Sequence, residues 1–73
     1  MKDSIEEFAL NDCDYIELNN LLKVVGICES GGRAKNLIAD GQVKVDGKVE
    51  LRKRCKIRSG QFVECDGTKV NVS

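Results

Sequence analysis

The segment from Ser30 to Lys35, SGGRAK, carries groups that could hold an anion. A hydroxyl residue followed by two glycines and an apolar helical pattern predicts a helix with Ser30 as its N-cap. The first backbone N–H groups of a helix lack intrahelical partners, and Gly31 and Gly32 leave room for a ligand to approach them. Arg33 and Lys35 add two positive charges in the same turn. This is the chemistry of a phosphate site, although many purely structural helices begin in the same way.

A second basic group lies in the segment RKRCKIR, residues 52–58. If this segment is an extended strand, its side chains alternate and one face receives a cation about every 6.6 Å. Such a ladder could meet successive phosphates of a nucleic acid. The alternative is that these side chains only protect an exposed sheet edge from pairing with another chain. The cations on the first face are Arg52, Arg54, Lys56 and Arg58, and Lys53 lies on the other face with Cys55 and Ile57.

The charge of the chain is zero in total but unevenly distributed. Among its 73 residues, 12 lysines and arginines balance 12 aspartates and glutamates. The net charge is −5 over residues 1–30, +6 over residues 31–60 and −1 over residues 61–73. A separation of this size is typical of a polyanion-binding face on an otherwise neutral protein. The alternative is that the acidic and basic segments neutralise each other in the fold, although surface ion pairs contribute little stability.

Catalytic and metal chemistry have little support in the sequence. There is no histidine, which excludes an ordinary imidazole base and Ser-His or Cys-His pairs. The four cysteines contain no CxxC spacing, and no secretion signal supports a disulfide framework. We therefore expect small, mostly buried, reduced thiols and no enzyme activity, metal ion or cofactor. The cysteines are Cys13, Cys28, Cys55 and Cys65.

Other recognition chemistries are also excluded or weak. The aromatic residues Phe8, Tyr15 and Phe62 are too few and too scattered for a base-stacking sheet or groove. The SGGRAK segment lacks the GxxxxGK[ST] spacing of a Walker loop. No run of 18 apolar residues and no signal peptide occurs, so we expect a cytoplasmic protein that does not contact a membrane. The length predicts a single domain over residues 1–73 with a small core.

Two helices are predicted in the first half of the chain. Asp14 and Glu17 have the spacing of a capping box and predict a helix start. Apolar residues at i, i+3, i+4 and i+7 then predict a helix over residues 18–25 that ends at Gly26. A second helix is predicted over residues 31–40 and stops at the glycine that follows. Helices this close in sequence form a helix-turn-helix-like pair.

After the second helix the apolar period changes from 3.6 to 2, which predicts a β-hairpin with a turn at Asp46-Gly47. A two-residue turn would place Val45 opposite Lys48. A longer or bulged turn would instead bring apolar residues together across the hairpin. We favour this second register, which pairs Val45 with Val49 and Val43 with Leu51.

Three further strands complete the predicted fold. Residues 4–10 suit an edge strand, although a helical turn is the alternative, and residues 61–65 and 69–72 suit strands joined by an Asp-Gly turn. The fold class is therefore α+β, with two short helices packed on a small, mainly antiparallel sheet.

The pattern Ala-x-x-Leu-Ile-x-x-Gly-x-Val-x-Val-Asp-Gly at residues 34–47 resembles the alpha-L RNA-binding domain, the S4-like family. With LLKVVG at residues 21–26 and SGGRAK, the resemblance extends from about residue 15 to residue 64, and it is strongest to the small stand-alone bacterial members, the YbcJ-like proteins. It implies RNA binding through the start of the second helix and the hairpin that follows. The chain differs from the family at Gly31, where arginine is common, and at Glu17, where a basic residue is common.

We therefore predict a monomeric protein that binds structured RNA, ribosomal RNA in particular, mainly through its shape and backbone. The alternative is an adaptor that docks on a ribosome-associated protein without touching RNA. The predicted RNA-binding residues are Ser30, Gly31, Gly32, Arg33, Lys35, Lys44, Arg52, Arg54, Lys56 and Arg58, with Lys23, Asn36 and Lys53 in second rank.

Overall fold

A computed structural model describes residues 4–73 of the chain and confirms the predicted fold class. Five strands form one sheet in the order β1-β7-β6-β3-β4, and β2 and β5 form a separate antiparallel pair. Within the large sheet only the β1–β7 pair is parallel. The elements are β1 (Ser4–Phe8), β2 (Ile16–Glu17), α1 (Leu18–Val24), α2 (Gly31–Ala39), β3 (Val43–Val45), β4 (Lys48–Val49), β5 (Lys56–Ile57), β6 (Phe62–Cys65) and β7 (Thr68–Val72).

The core lies between the two helices and one face of the five-stranded sheet. The helices contribute an apolar stripe at the predicted spacing, and alternate residues of β3, β6 and β7 point towards it. The intervening side chains therefore lie on the outer face of the sheet. Neither helix of the described region has the length and apolar character needed to cross a membrane. The core side chains that are fully buried and largest are Leu18, Leu21, Leu22, Ile38, Ile57, Val43, Val63 and Val70.

The N-terminal segment forms the predicted edge strand, which ends at Phe8 rather than at Leu10. It runs parallel to β7, with Ile5 opposite Lys69 and Phe8 opposite Val72. Two further bonds extend the pairing, since Leu10 N–H donates to Ser73 O at 2.8 Å and Ser73 N–H donates to Phe8 O at 2.9 Å. The last strand is consequently enclosed on both sides, by β1 and by β6.

The predicted start of the first helix by a capping box is wrong. Asp14 lies outside the helix, and Glu17 is its N-cap but makes no side-chain capping bond. The backbone of a distant loop supplies the partners instead: Leu18 N–H donates to Cys55 O at 2.9 Å, and Asn19 N–H donates to Lys53 O at 3.1 Å. Two of the orphan donors of α1 are therefore satisfied by tertiary contacts, which no local spacing in the sequence encodes.

The other helix boundaries agree with the sequence analysis to within about one residue. Gly26 follows α1 with a φ of +84°, and Gly41 follows α2 with a φ of +77°, the left-handed geometry that favours glycine after a helix. Ser30 is the N-cap of α2, and its Oγ accepts the N–H of Arg33 at 3.3 Å. The helix-turn-helix-like pair is thus confirmed, with α1 packed on α2.

The favoured register of the first hairpin is wrong. Val45 lies opposite Lys48, and Lys44 lies opposite Val49, so that Asp46 and Gly47 alone form the turn. Their φ values of +54° and +85° are those of a type I′ turn. Val49 and Leu51 consequently stay outside the core, at 51% and 59% exposure. Both lie near Gly41, where an added Cβ atom would meet Val49 Cγ1 at 3.7 Å and Leu51 Cδ2 at 3.9 Å.

The cysteine thiols are all free. Cys28 and Cys65 are buried, Cys55 is half-buried and Cys13 is exposed. Burial raises the pKa of Cys28, Cys55 and Cys65, which keeps these three groups protonated and poorly nucleophilic at neutral pH.

Candidate nucleic-acid interface

The start of α2 presents open backbone and two cations. A Cβ atom placed on Gly31 would meet nothing within 4 Å, and one on Gly32 would meet only Ser30 Oγ at 3.9 Å. Arg33 and Lys35 are exposed, as is the neighbouring Asn36. The positive charge of Arg33 also reaches Cys28, where it opposes the rise in the thiol pKa caused by burial. This end of α2 is accessible to an anion, as the sequence predicts.

The segment from Arg52 to Arg58 is not the continuous strand predicted from its alternation. Only Lys56 and Ile57 are in a strand, and a turn occupies residues 53–54. The prediction that the cations are evenly spaced along an extended strand is therefore wrong. What replaces it is a loop followed by a short strand.

An ion pair holds the beginning of that loop. Arg52 Nε lies 2.8 Å from Glu50 Oε2, Arg52 Nη2 lies 3.1 Å from Oε1, and the backbone N–H of Arg52 donates to Oε2 at 3.0 Å. These hydrogen bonds lower the pKa of Glu50 from 4.5 to about 2. The guanidinium of Arg52 is therefore neutralised locally and is engaged with its own loop.

The next two basic residues, Lys53 and Arg54, lie in a loop whose backbone is bonded to the N-terminus of α1. The carbonyls of Lys53 and Cys55 accept the first N–H groups of that helix, so the loop backbone is fixed while the Lys53 and Arg54 side chains stay exposed. Arg54 Nε lies 3.9 Å from Glu17 Oε1, a long ion pair whose arginine side chain is 79% exposed. Arg54 thus keeps most of its access to solvent.

The last two cations of the segment lie over an aromatic ring. Lys56 Nζ is 5.0 Å and Arg58 Cζ is 5.7 Å from the centre of the Tyr15 ring. Both distances are within the range of cation–π contacts. The sequence analysis missed this role of Tyr15, because the ring and the cations are far apart in the chain and meet only through the pairing of β2 with β5.

The structure brings three of the predicted cations to one depression. Arg52, Arg54 and Lys56, together with Cys55, line a shallow recess of about 390 Å³. Tyr15 and Arg58 adjoin this recess through Lys56.

Other predicted residues lie elsewhere on the molecule. Lys44 is on the outer face of the sheet, opposite Glu64 of β6, and shares a second depression of about 410 Å³ with Glu64 and Lys69. Lys23 is exposed in the last turn of α1, close in the chain to the start of α2. The 52–55 loop meets the opposite end of α1, a helix of seven residues and therefore about 10 Å long. The candidate cations thus form two groups, one at each end of α1, with Lys44 apart from both.

The family of the chain follows from comparison with known proteins. Residues 8–73 match the family described as the S4 domain. The protein named "Putative RNA-binding protein YbcJ" from Escherichia coli strain K12 is 55% identical over 65 residues, which cover 89% of this chain and 93% of that protein. The protein named "Probable ribosome maturation protein RlbA" from Bacillus subtilis strain 168 is 32% identical over 56 residues, which cover 77% of this chain and 79% of that protein.

A solved structure supports the same assignment. The solution structure of YbcJ from Escherichia coli, described as revealing an alpha-L motif involved in RNA binding, superposes with a TM-score of 0.73 and 50% sequence identity. The superposition covers 99% of this chain and 91% of YbcJ. The resemblance drawn from residues 34–47 is thereby confirmed, and the two helices with the hairpin that follows them are an alpha-L motif. The chain belongs to the S4 domain family.

Proposed function

We propose that this protein binds structured RNA through the cations at the two ends of α1. The observation that carries the proposal is the segment at residues 53–58, where the backbone of residues 53 and 55 is hydrogen-bonded to the start of α1 while the cations of the segment stay exposed. Such an arrangement presents charge in a defined geometry, which suits the regular backbone of folded RNA. The relatives named for RNA binding and for ribosome maturation support the same function.

Ribosomal RNA is the class of RNA that we propose as the ligand, with the protein acting as a cytoplasmic monomer. The name of the Bacillus subtilis relative supports the ribosomal connection. We propose a binding module rather than an enzyme, in keeping with the raised pKa of three cysteine thiols, which makes them poor nucleophiles.

The predicted residues take different parts in this proposal. Arg33, Lys35, Arg54, Lys56 and Arg58 meet phosphates, and Gly31 and Gly32 offer backbone donors. Arg52 shapes the loop through Glu50 and contributes little free charge. Lys44, beside Glu64 on the outer face of the sheet, lies outside the proposed interface.

Charge reversal at both ends of α1 tests the function. We expect Arg33→Glu together with Arg54→Glu to weaken binding of a bulged RNA hairpin by more than about tenfold, because each change removes a phosphate contact and adds repulsion. Both side chains are exposed, so the circular dichroism spectrum and the melting temperature should change little. Affinity is measured by fluorescence anisotropy with labelled hairpin.

Lys69→Glu is the matched control, since it changes the charge as much as either single reversal but lies on the outer face of the sheet. We expect it to weaken binding less than Arg33→Glu or Arg54→Glu alone. If the double reversal binds as tightly as the unaltered protein, the proposed face is wrong. If the unaltered protein binds no RNA hairpin and no ribosomal RNA, the adaptor function is favoured instead.

A further inference from the structure

Tyr15 immediately precedes β2, and its aromatic ring lies beside the β2–β5 pair. Ile16 lies opposite Ile57 and Glu17 lies opposite Lys56, so the strand register brings Tyr15 beside Arg58. Lys56 and Arg58 are two residues apart on an extended segment and project on the same side, while Ile57 between them is fully buried. The ring of Tyr15, a residue that is 38% exposed, therefore contacts two cations of the facing segment.

These two cations have no competing acidic partner in the part of the chain that the structure describes. Among residues 4–73, neither Lys56 nor Arg58 has a carboxylate within ion-pair distance. Glu17 is opposite Lys56 in the strand register, but its carboxylate approaches Arg54 instead. The charges of Lys56 and Arg58 are consequently available to an external anion.

The ring limits the freedom of both side chains. Lysine and arginine have large rotamer entropies, which are lost when a free side chain is fixed on a ligand. A cation–π contact restricts that freedom before the ligand arrives and leaves the N–H donors free. Because the cations lie over the ring, the surface offers positive charge and N–H donors rather than a bare aromatic face for a base. A phosphate group, with its negative charge and acceptor oxygens, is complementary to this surface.

We propose that Tyr15, Lys56 and Arg58 form a phosphate-binding subsite of the RNA interface, in which the Tyr15 ring is the positioning residue. This inference rests on the proposed function and extends it to a residue that carries no charge. The ring acts through the two cations, and its hydroxyl group is not required.

Substitution of the ring tests the subsite in the full chain. We expect Tyr15→Leu to weaken binding of a bulged RNA hairpin about fivefold, and Tyr15→Phe to bind within about twofold of the unaltered protein, because phenylalanine keeps the cation–π contacts. In a protein that already carries Lys56→Gln and Arg58→Gln, Tyr15→Leu should cause no further loss. Phe62→Leu is the matched control, since Phe62 holds Lys69 at 4.5 Å outside the proposed interface.

A structural measurement separates positioning from loss of fold. In the free protein, the side-chain proton resonances of Lys56 and Arg58 should show ring-current shifts that persist in Tyr15→Phe and disappear in Tyr15→Leu, with the remaining spectrum preserved. A further loss of affinity on the Lys56→Gln, Arg58→Gln background would mean that the ring contacts RNA itself and would overturn the positioning role. An unchanged affinity in Tyr15→Leu would also overturn it while leaving RNA binding intact. Absence of binding by the unaltered protein would instead refute the proposed function.

Discussion

Glu50 organises the loop that carries Arg52, Lys53 and Arg54. Its two carboxylate oxygens accept the Nε, the Nη2 and the backbone N–H of Arg52. Hydrogen bonds from a charged donor to a carboxylate are stronger than neutral ones. Although the Arg52 side chain is 77% exposed, the Glu50 side chain is only 17% exposed, so the pair is partly shielded from water on the acidic side. A single carboxylate thereby fixes the start of the loop whose carbonyls accept the first N–H groups of α1.

Glu50→Gln is expected to reduce the free energy of unfolding by about 1 kcal/mol at pH 7, a value discounted for the exposure of Arg52. Since the folded-state pKa of Glu50 is lowered to about 2, the stabilisation is fully present above the ordinary value of 4.5. This stabilisation decreases as the pH falls from 4.5 towards 2. Urea unfolding at several pH values should therefore show the difference between the two proteins narrowing below pH 4.5.

Glu6→Gln, at an exposed position of the edge strand, is the control for the loss of one carboxylate. The stated role of Glu50 fails if its variant differs from the unaltered protein by the same amount at pH 3 as at pH 7.

Helix α2 is the element that was predicted most completely from the sequence. Its cap, its buried stripe and its terminating glycine are all local features, and each is where the spacing predicts. Helix α1 was predicted as well, except for its first turn, whose partners come from residues 53 and 55. Local patterns therefore predicted the bodies of the helices but not the contact between a helix end and a distant loop.

The strands show which of two competing rules is stronger. In the first hairpin, the preference of Asp46-Gly47 for a two-residue turn prevailed over the pairing of apolar residues. Val49 and Leu51 remain exposed as a result. In the 52–58 segment, the Glu50–Arg52 pair and the turn at residues 53–54 replaced the extended ladder. Alternation of residue types alone could not predict this, because the ion pair depends on a residue outside the alternating segment.

The backbone at the start of α2 gives a test at the scale of the element. Gly31 has a helical conformation and open space around it, so Gly31→Ala should raise the free energy of unfolding by up to about 0.5 kcal/mol through helix propensity. The added methyl group should at the same time hinder approach of a phosphate to the first N–H groups and weaken RNA binding. Thermal unfolding and anisotropy measure the two opposite effects.

Asn20→Ala on the exposed side of α1 provides the comparison, since it also improves helix propensity but leaves the start of α2 unchanged. A more stable Gly31→Ala protein with full RNA affinity would show that these N–H groups are not a contact.

At the scale of the molecule, the acidic and basic segments meet without neutralising each other. The long contact between Glu17 and Arg54 is the only ion pair between residues 4–30 and residues 31–60 within the described chain. A protein of zero net charge can thus present a basic surface while avoiding general attraction to polyanions.

The salt dependence of RNA binding reports how many of these cations act together. With four to six phosphate contacts, we expect a plot of log Kobs against log salt concentration to have a slope of about −3 to −5. Arg54→Gln should reduce the magnitude of the slope by about 1, whereas Lys69→Gln should leave it unchanged. A slope near zero would favour a partner other than nucleic acid.

The parallel pairing of β1 with β7 has a consequence for the order of folding. Residues 4–8 find their only strand partner, among the described residues, at positions 68–72. During synthesis the first strand must therefore wait until nearly all of the described chain has emerged, whereas the two helices can pack as soon as they are made. Joining segments so distant requires closure of a long loop, and this step is slow relative to local helix formation. The sheet edge is thus completed last, after the two helices have been able to pack on each other.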